Sequence, residues 1–170
     1  IPVDDIEAQS NPLYQKMIDL SIVLRFFALS EPDKIDSTFK DFLSEFMEER
    51  NKLYLTDKEL EEQDTKRFER AVANSIAVFG VNSFRNPSKK VKGPPSLPIA
   101  EAIMIGLADH DPALITEAVA QKIKADFAVL CNNADFLKSI SSGTNGKGAI
   151  KTRVNMAKAM FNSHIPKKKP

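Results

Sequence analysis

Few residues in this chain have types and spacings that could do chemistry. Gly143-Thr-Asn-Gly-Lys-Gly148 has the glycines, hydroxyl and lysine of a phosphate-binding loop, whose backbone amides cradle an anion at the start of a helix. The spacing fails. Ser141 stands where the first glycine belongs, Gly148 stands where a hydroxyl should follow the lysine, and a helix rather than a strand precedes the segment. Nucleotide hydrolysis is therefore not expected. The segment reads either as a plain connection or as a contact for phosphates through Thr144, Lys147 and Lys151.

His110, His164 and the single Cys131 have no zinc-ligand spacing, so neither a metal nor another cofactor is expected, and one cysteine cannot form a bridge within the chain. His110, between Asp109 and Asp111, reads as a solvated residue of an interhelical turn. No Gly-x-Ser-x-Gly elbow supports nucleophilic catalysis. Glu59, Glu61, Glu62 and Asp64 read as a solvated helix face, favoured near a helix N-terminus by the backbone dipole. Catalysis by this stretch alone is not expected, which leaves the activity of any parent protein open.

Arg25 differs, because it interrupts the apolar run Ser21-Ile-Val-Leu-Arg-Phe-Phe-Ala-Leu29. Burying an unpaired guanidinium costs several kcal/mol, roughly, so Arg25 requires a carboxylate such as Glu101 or Asp19, or else has a direct functional role.

The elements that must position these groups are helical. Ser10 or Asn11 with Pro12 signals a first helix through Ile22, Phe26, Phe27 and Leu29, apolar on almost every face and ending before Pro32. Its composition predicts the centre of a bundle, with Leu24, Phe26, Phe27 and Leu29 buried. Asp36 and Ser37 signal a second helix with a stripe of Phe39, Phe42, Leu43, Phe46 and Met47, closing in Glu48-Glu49-Arg50. Thr56 and Glu59 have capping-box spacing for a third, running to Gly80. Residues 81–96 read as a basic surface loop. Ser96 with Pro98, Asp111 with Pro112, and Asn133 signal three further helices, and a last one carries Ile150, Val154, Ala157 and Phe161.

No sustained two-residue alternation is present, so the expected fold is all-α: one irregular bundle of six or seven helices without a β-sheet. The expected organisation is an extension over residues 1–11, a helical domain over 12–163 and a disordered basic tail over 164–170. A first residue other than Met and the ending Ile165-Pro-Lys-Lys-Lys-Pro170 read as a piece of a longer protein.

At 170 residues, 42% hydrophobic and 28% charged, the composition is that of one globular domain. No apolar run approaches the roughly 18 residues that span a bilayer, and no secretion signal is evident, so the expectation is a cytoplasmic protein without a membrane partner. A net charge of +1 hides an uneven distribution. Residues 1–64 carry 16 acids and 7 bases, residues 65–170 carry 7 acids and 17 bases, and no acid follows Asp135. Such asymmetry fits DNA, an acidic protein surface, or the acidic half of the same chain or of a second copy.

Four segments carry a resemblance. They are Met17-x-Asp19-x-x-Ile22-Val-Leu-Arg-Phe-Phe-Ala-Leu-Ser30, Phe39-x-x-Phe-Leu-Ser-Glu-Phe-Met47, Phe79-Gly-x-x-x-Phe84-Arg85, and Phe136-x-x-x-Ile140-Ser-Ser-Gly-Thr144 followed by Arg153. Together they resemble the C-terminal helical half of the domain of unknown function 262 family, which is similar to modification-dependent restriction enzymes of the GmrSD type. The resemblance spans about residues 13–160, and Leu24-Arg-Phe-Phe-Ala-Leu29 is its most specific part. It implies a DNA-targeting, phage-defence protein of a prokaryote. It also implies a catalytic partner half of ParB and sulfiredoxin type, in the same protein or another subunit, where an Asp-Gly-Gln-Gln-Arg signature carries nucleotide hydrolysis and DNA cleavage. That signature is absent here, so no catalytic position carries over.

The resulting expectation is a non-catalytic helical domain. It would support that half and offer DNA phosphates a basic surface of Arg85, Lys89, Lys90, Lys92, Thr144, Lys147, Lys151 and Arg153. The alternative is a protein-interaction or oligomerisation module with a basic C-terminal face.

Overall fold

The computed structural model describes residues 17–89 and 93–165. Among these, seven α-helices and no strands form an all-α bundle: α1 (Ile18–Ala28), α2 (Phe39–Thr56), α3 (Lys58–Phe79), α4 (Leu97–Leu107), α5 (Glu117–Leu130), α6 (Ala134–Ser141) and α7 (Lys147–His164). Short 3-10 turns at Pro32–Lys34, Gly80–Asn82 and Pro112–Leu114 link them. None of the described helices is long and apolar enough to cross a membrane.

The central helix is α4, not α1. Every residue from Ile99 to Leu107 is buried, and α4 packs against α1, α3 and α7. Its sequence allows this, since Glu101 is its one charged residue and Ala100, Ala102 and Gly106 let neighbours approach closely. A Cβ added at Gly106 would stand 2.5 Å from Cδ2 of Phe161 on α7. Two hydrophobic clusters meet on α4. Ile99, Ile103 and Leu107 join Phe79, Phe127, Phe136 and Phe161, whereas Met104 and Ile105 join Phe26, Leu29, Phe42, Ile150 and Val154. Within the first cluster the Phe127 ring stacks on Phe161 with centroids 5.8 Å apart.

Helix α1 lies at the edge of this arrangement. Phe26 and Leu29 are buried as expected, but Leu24 and Phe27 are only partly buried and Leu20 is 62% exposed. An apolar composition all round gives a helix no direction, and here one of its flanks faces an open cleft. The cap signal at Ser10, Asn11 and Pro12 lies outside the described residues.

Other boundaries moved because a nearer cap competed. Thr38, rather than Asp36 or Ser37, accepts from the Asp41 amide at the start of α2, which continues past Arg50 to Thr56. Asp57 caps α3 by accepting from the Leu60 amide at 2.9 Å, while Thr56 stays in α2 and donates to the Leu53 carbonyl. Asp111 caps only the 3-10 turn, and Thr116 starts α5. Asn133 and Gly80 stand where the sequence put them, Gly80 at φ 59°, which a residue with a Cβ rarely adopts. The domain also runs past residue 163: His164 belongs to α7 and pairs with Asp126 at 2.8 Å, and Ile165 is buried.

Candidate functional site

Glu101, buried on α4, is held by two guanidiniums from different helices. Arg25 of α1 donates from Nη1 to Oε1 at 2.6 Å, and Arg153 of α7 donates from Nε to Oε2 at 2.7 Å with Nη2 on the same oxygen. The Arg25 side chain is 13% exposed, whereas that of Arg153 is fully enclosed. Two positive groups on one carboxylate leave donors over. Arg153 Nη1 gives to the carbonyls of Ser139 and Thr144, and Arg25 Nη2 gives to Oδ1 of Asn145 at 3.3 Å. Arg25 also lies over the Phe39 ring, 4.6 Å from its centroid. Burial draws the Arg153 guanidinium below its ordinary pKa, and Glu101 opposes that shift. What the cluster accomplishes is mechanical: it ties α1, α4, α7 and the turn before α7 into one unit.

That arrangement corrects the expected phosphate surface. Arg153 points into the interior and is committed to Glu101, so its guanidinium is not on a surface. Thr144 is half-buried, its carbonyl bound by Arg153. Lys147 Nζ donates to the carbonyls of Asp33 and Ile35 at 2.9 and 2.6 Å, and Lys151 Nζ reaches Asp33 Oδ1 at 2.6 Å. The Lys151 ammonium in turn holds the Asp33 carboxyl below its usual range. These lysines therefore fasten the start of α7 to the 3-10 turn at Pro32–Lys34. Arg85 is turned back onto its own loop, donating to the Gly93 carbonyl. Lys89 is exposed, and Lys90 and Lys92 lie outside the described residues.

The remaining chemical candidates are structural. His110 is buried rather than solvated. Burial pushes the Cys131 thiol up to about 12. No group of three potential metal ligands occurs among the described residues. In the acidic run, Glu59, Glu61 and Glu62 engage Gln63, Lys58 and Lys66 on their own helix. Asp64 reaches across to α2, where it accepts from the Tyr54 hydroxyl at 2.6 Å and lies 3.3 Å from Arg50 Nε.

Beside that cross-link lies a cleft of about 1000 Å³ between α2, the end of α1, the 3-10 turn at Pro32–Lys34 and α3. Sequence reasoning missed it because the α2 stripe reads equally well as core. Only Phe42 of that stripe is fully buried; Phe46 is partly buried and Met47 is 49% exposed.

The fold and the ion cluster thus define an all-α scaffold. No protein-family model matches the chain, and neither a curated protein nor a solved structure does.

Proposed function

We propose that this chain is a non-catalytic helical domain of a DNA-targeting restriction or phage-defence protein, supporting a catalytic half that lies elsewhere. The observation that carries this reading is the Arg25–Glu101–Arg153 cluster. Arg25 and Arg153 are two of the charged positions through which the sequence resembles the helical half of the domain of unknown function 262 family. Both serve to join helices instead of lining a reaction site. A resemblance carried by packing and ion-pair residues, among them Phe26, Phe42, Phe79 and Phe136, is what a supporting domain would retain.

Direct DNA contact plays a smaller part in this proposal than the charge distribution alone suggests. Among the described members of the expected surface, Lys89, Lys147 and Lys151 are the exposed cations, and the last two already bind the turn at Asp33. Any duplex binding should be weak, indifferent to sequence and steeply reduced by salt.

The purified chain should neither hydrolyse nucleoside triphosphates nor cut DNA. Reading the gene upstream of Ile1 should show, in frame or in an adjacent frame, a partner with an Asp-Gly-Gln-Gln-Arg sequence. Turnover by the chain alone, or upstream frames without that sequence, would overturn the proposal.

A further inference from the structure

The α2 face that lines the cleft is made by Phe42, Glu45, Phe46, Glu49, Arg50 and Leu53, at helical spacing over three turns or roughly 16 Å. A helix normally turns such a face onto a neighbour. Here Phe42 and the partly buried Phe46 pack against the core, while Glu45, Glu49 and Leu53 are exposed at the cleft, which Phe27 and Asp36 also line.

The charges around it are not balanced. Seven carboxylates line the cleft against four cations. The cations are engaged: Lys34 with Glu31, Arg50 with Asp64, Arg67 with Asp109, and Lys158 with the Ser30 carbonyl. Asp36, Glu45 and Glu49 have no ion-pair partner among the described residues. Glu45 and Glu49 lie one turn apart on α2, both exposed and both lining the cleft with Phe46. The cleft therefore combines an accessible apolar strip of Phe46 and Leu53 with a surplus of three carboxylates in its lining.

We propose that this cleft is a docking groove for a basic amphipathic helix of a partner protein. A small polycation would neutralise the carboxylates but leave the strip wet. An uncharged apolar segment would cover the strip but desolvate the carboxylates without pairing them. A helix with an apolar stripe between lysines or arginines satisfies both, in the helix-in-groove mode of recognition, and the length of the α2 face fits about three of its turns. This inference stands apart from the DNA-targeting assignment, because it rests on the cleft alone.

The probe is a fluorescent lysine–leucine peptide of about four turns with its leucines on one face. Its controls are a scrambled peptide of equal composition and spermine. Fluorescence anisotropy should show saturable binding of the amphipathic peptide, weakened at least about tenfold by Glu45→Lys with Glu49→Lys, two exposed positions. Leu53→Asp should weaken it comparably. Glu69→Lys with Glu117→Lys, the same charge change away from the cleft, should leave it within about twofold, with thermal midpoints of all three variants near the parent's. Equal binding of the scrambled peptide or of spermine would reduce the site to nonspecific charge attraction and overturn the proposal. So would equal weakening by the distant reversal, or self-association of the chain abolished by the cleft variants, which would assign the groove to a second copy.

Discussion

Arg153 and Glu101, 52 residues apart in sequence, meet where both side chains are removed from water, Nε to Oε2 at 2.7 Å. Their pairing joins the last helix to the central one. Arg25, closing on the other carboxylate oxygen, brings in the first described helix, so one carboxylate organises three elements.

The cluster should respond asymmetrically to mutation. Glu101→Ala leaves two guanidiniums facing each other without a carboxylate and should cost about 3–5 kcal/mol in urea unfolding. Arg25→Met leaves Glu101 paired with Arg153 and fills the space over the Phe39 ring with an apolar side chain of similar length, so its cost should stay below about 1.5 kcal/mol. Similar losses for both variants would mean that Glu101 is not the shared centre.

Close approach of α4 and α7 depends on Gly106. Because a methyl group there would overlap the Phe161 ring, Gly106→Ala should destabilise the fold by about 1–3 kcal/mol despite the better helix propensity of alanine. Pairing it with Phe161→Leu, which vacates the ring edge, should recover part of the loss. A stabilised Gly106→Ala protein would show that the helices are not in contact at this point.

Cys131 should be inert in the native state. Its thiol is fully buried and its pKa is pushed up to about 12, so at pH 8 an aromatic disulfide reagent should label it only as fast as the protein opens. The unfolded thiol ionises near its ordinary value of 9.0 while the folded one keeps its proton. This contribution to stability is therefore complete below pH 9 and declines as the pH climbs toward 12. A Cys131→Ala variant should lose that part of the alkaline decline. Rapid native labelling at pH 8 would contradict the burial.

The fold class was legible because seven stretches carry helical periodicity and most are punctuated by Pro, Gly, Asn or Thr. Which helix lies at the centre was not. The segments of α1 and α4 are both strongly apolar, and only the small residues Ala100, Ala102 and Gly106 distinguish a helix that others can approach from all sides. Reading Arg25 in its apolar run called for a carboxylate such as Glu101 or Asp19, and Glu101 is the one that pairs with it. Arg153 read as one more cation of a basic surface, since net charge along a sequence does not reveal which side chains turn inward. The cleft was invisible for a related reason: a stripe of Phe42 and Phe46 has the same spacing whether a neighbour covers it or not.

Asn74 tests whether the end of α4 is held by a side chain. From α3, fully buried, its Nδ2 donates to the carbonyls of Leu107 and His110 at 2.9 and 3.0 Å, just past the last turn of α4, where the Leu107 carbonyl also accepts from the His110 amide at 3.3 Å. Asn74→Ala should cost about 1–3 kcal/mol through the loss of two buried hydrogen bonds. Asn74→Asp is the sharper probe. An ionised carboxylate would face two carbonyl oxygens, whereas the protonated form can donate to one of them, so folding should raise its pKa above the ordinary value of about 4. The folded variant then holds its proton more tightly than the unfolded chain. Its stability relative to the parent should be greatest below pH 4, fall as the pH rises through the raised pKa, and level off above it. Urea midpoints of variant and parent measured across pH 3.5–7.5 give that difference directly, and a difference independent of pH would show that position 74 does not donate to these carbonyls.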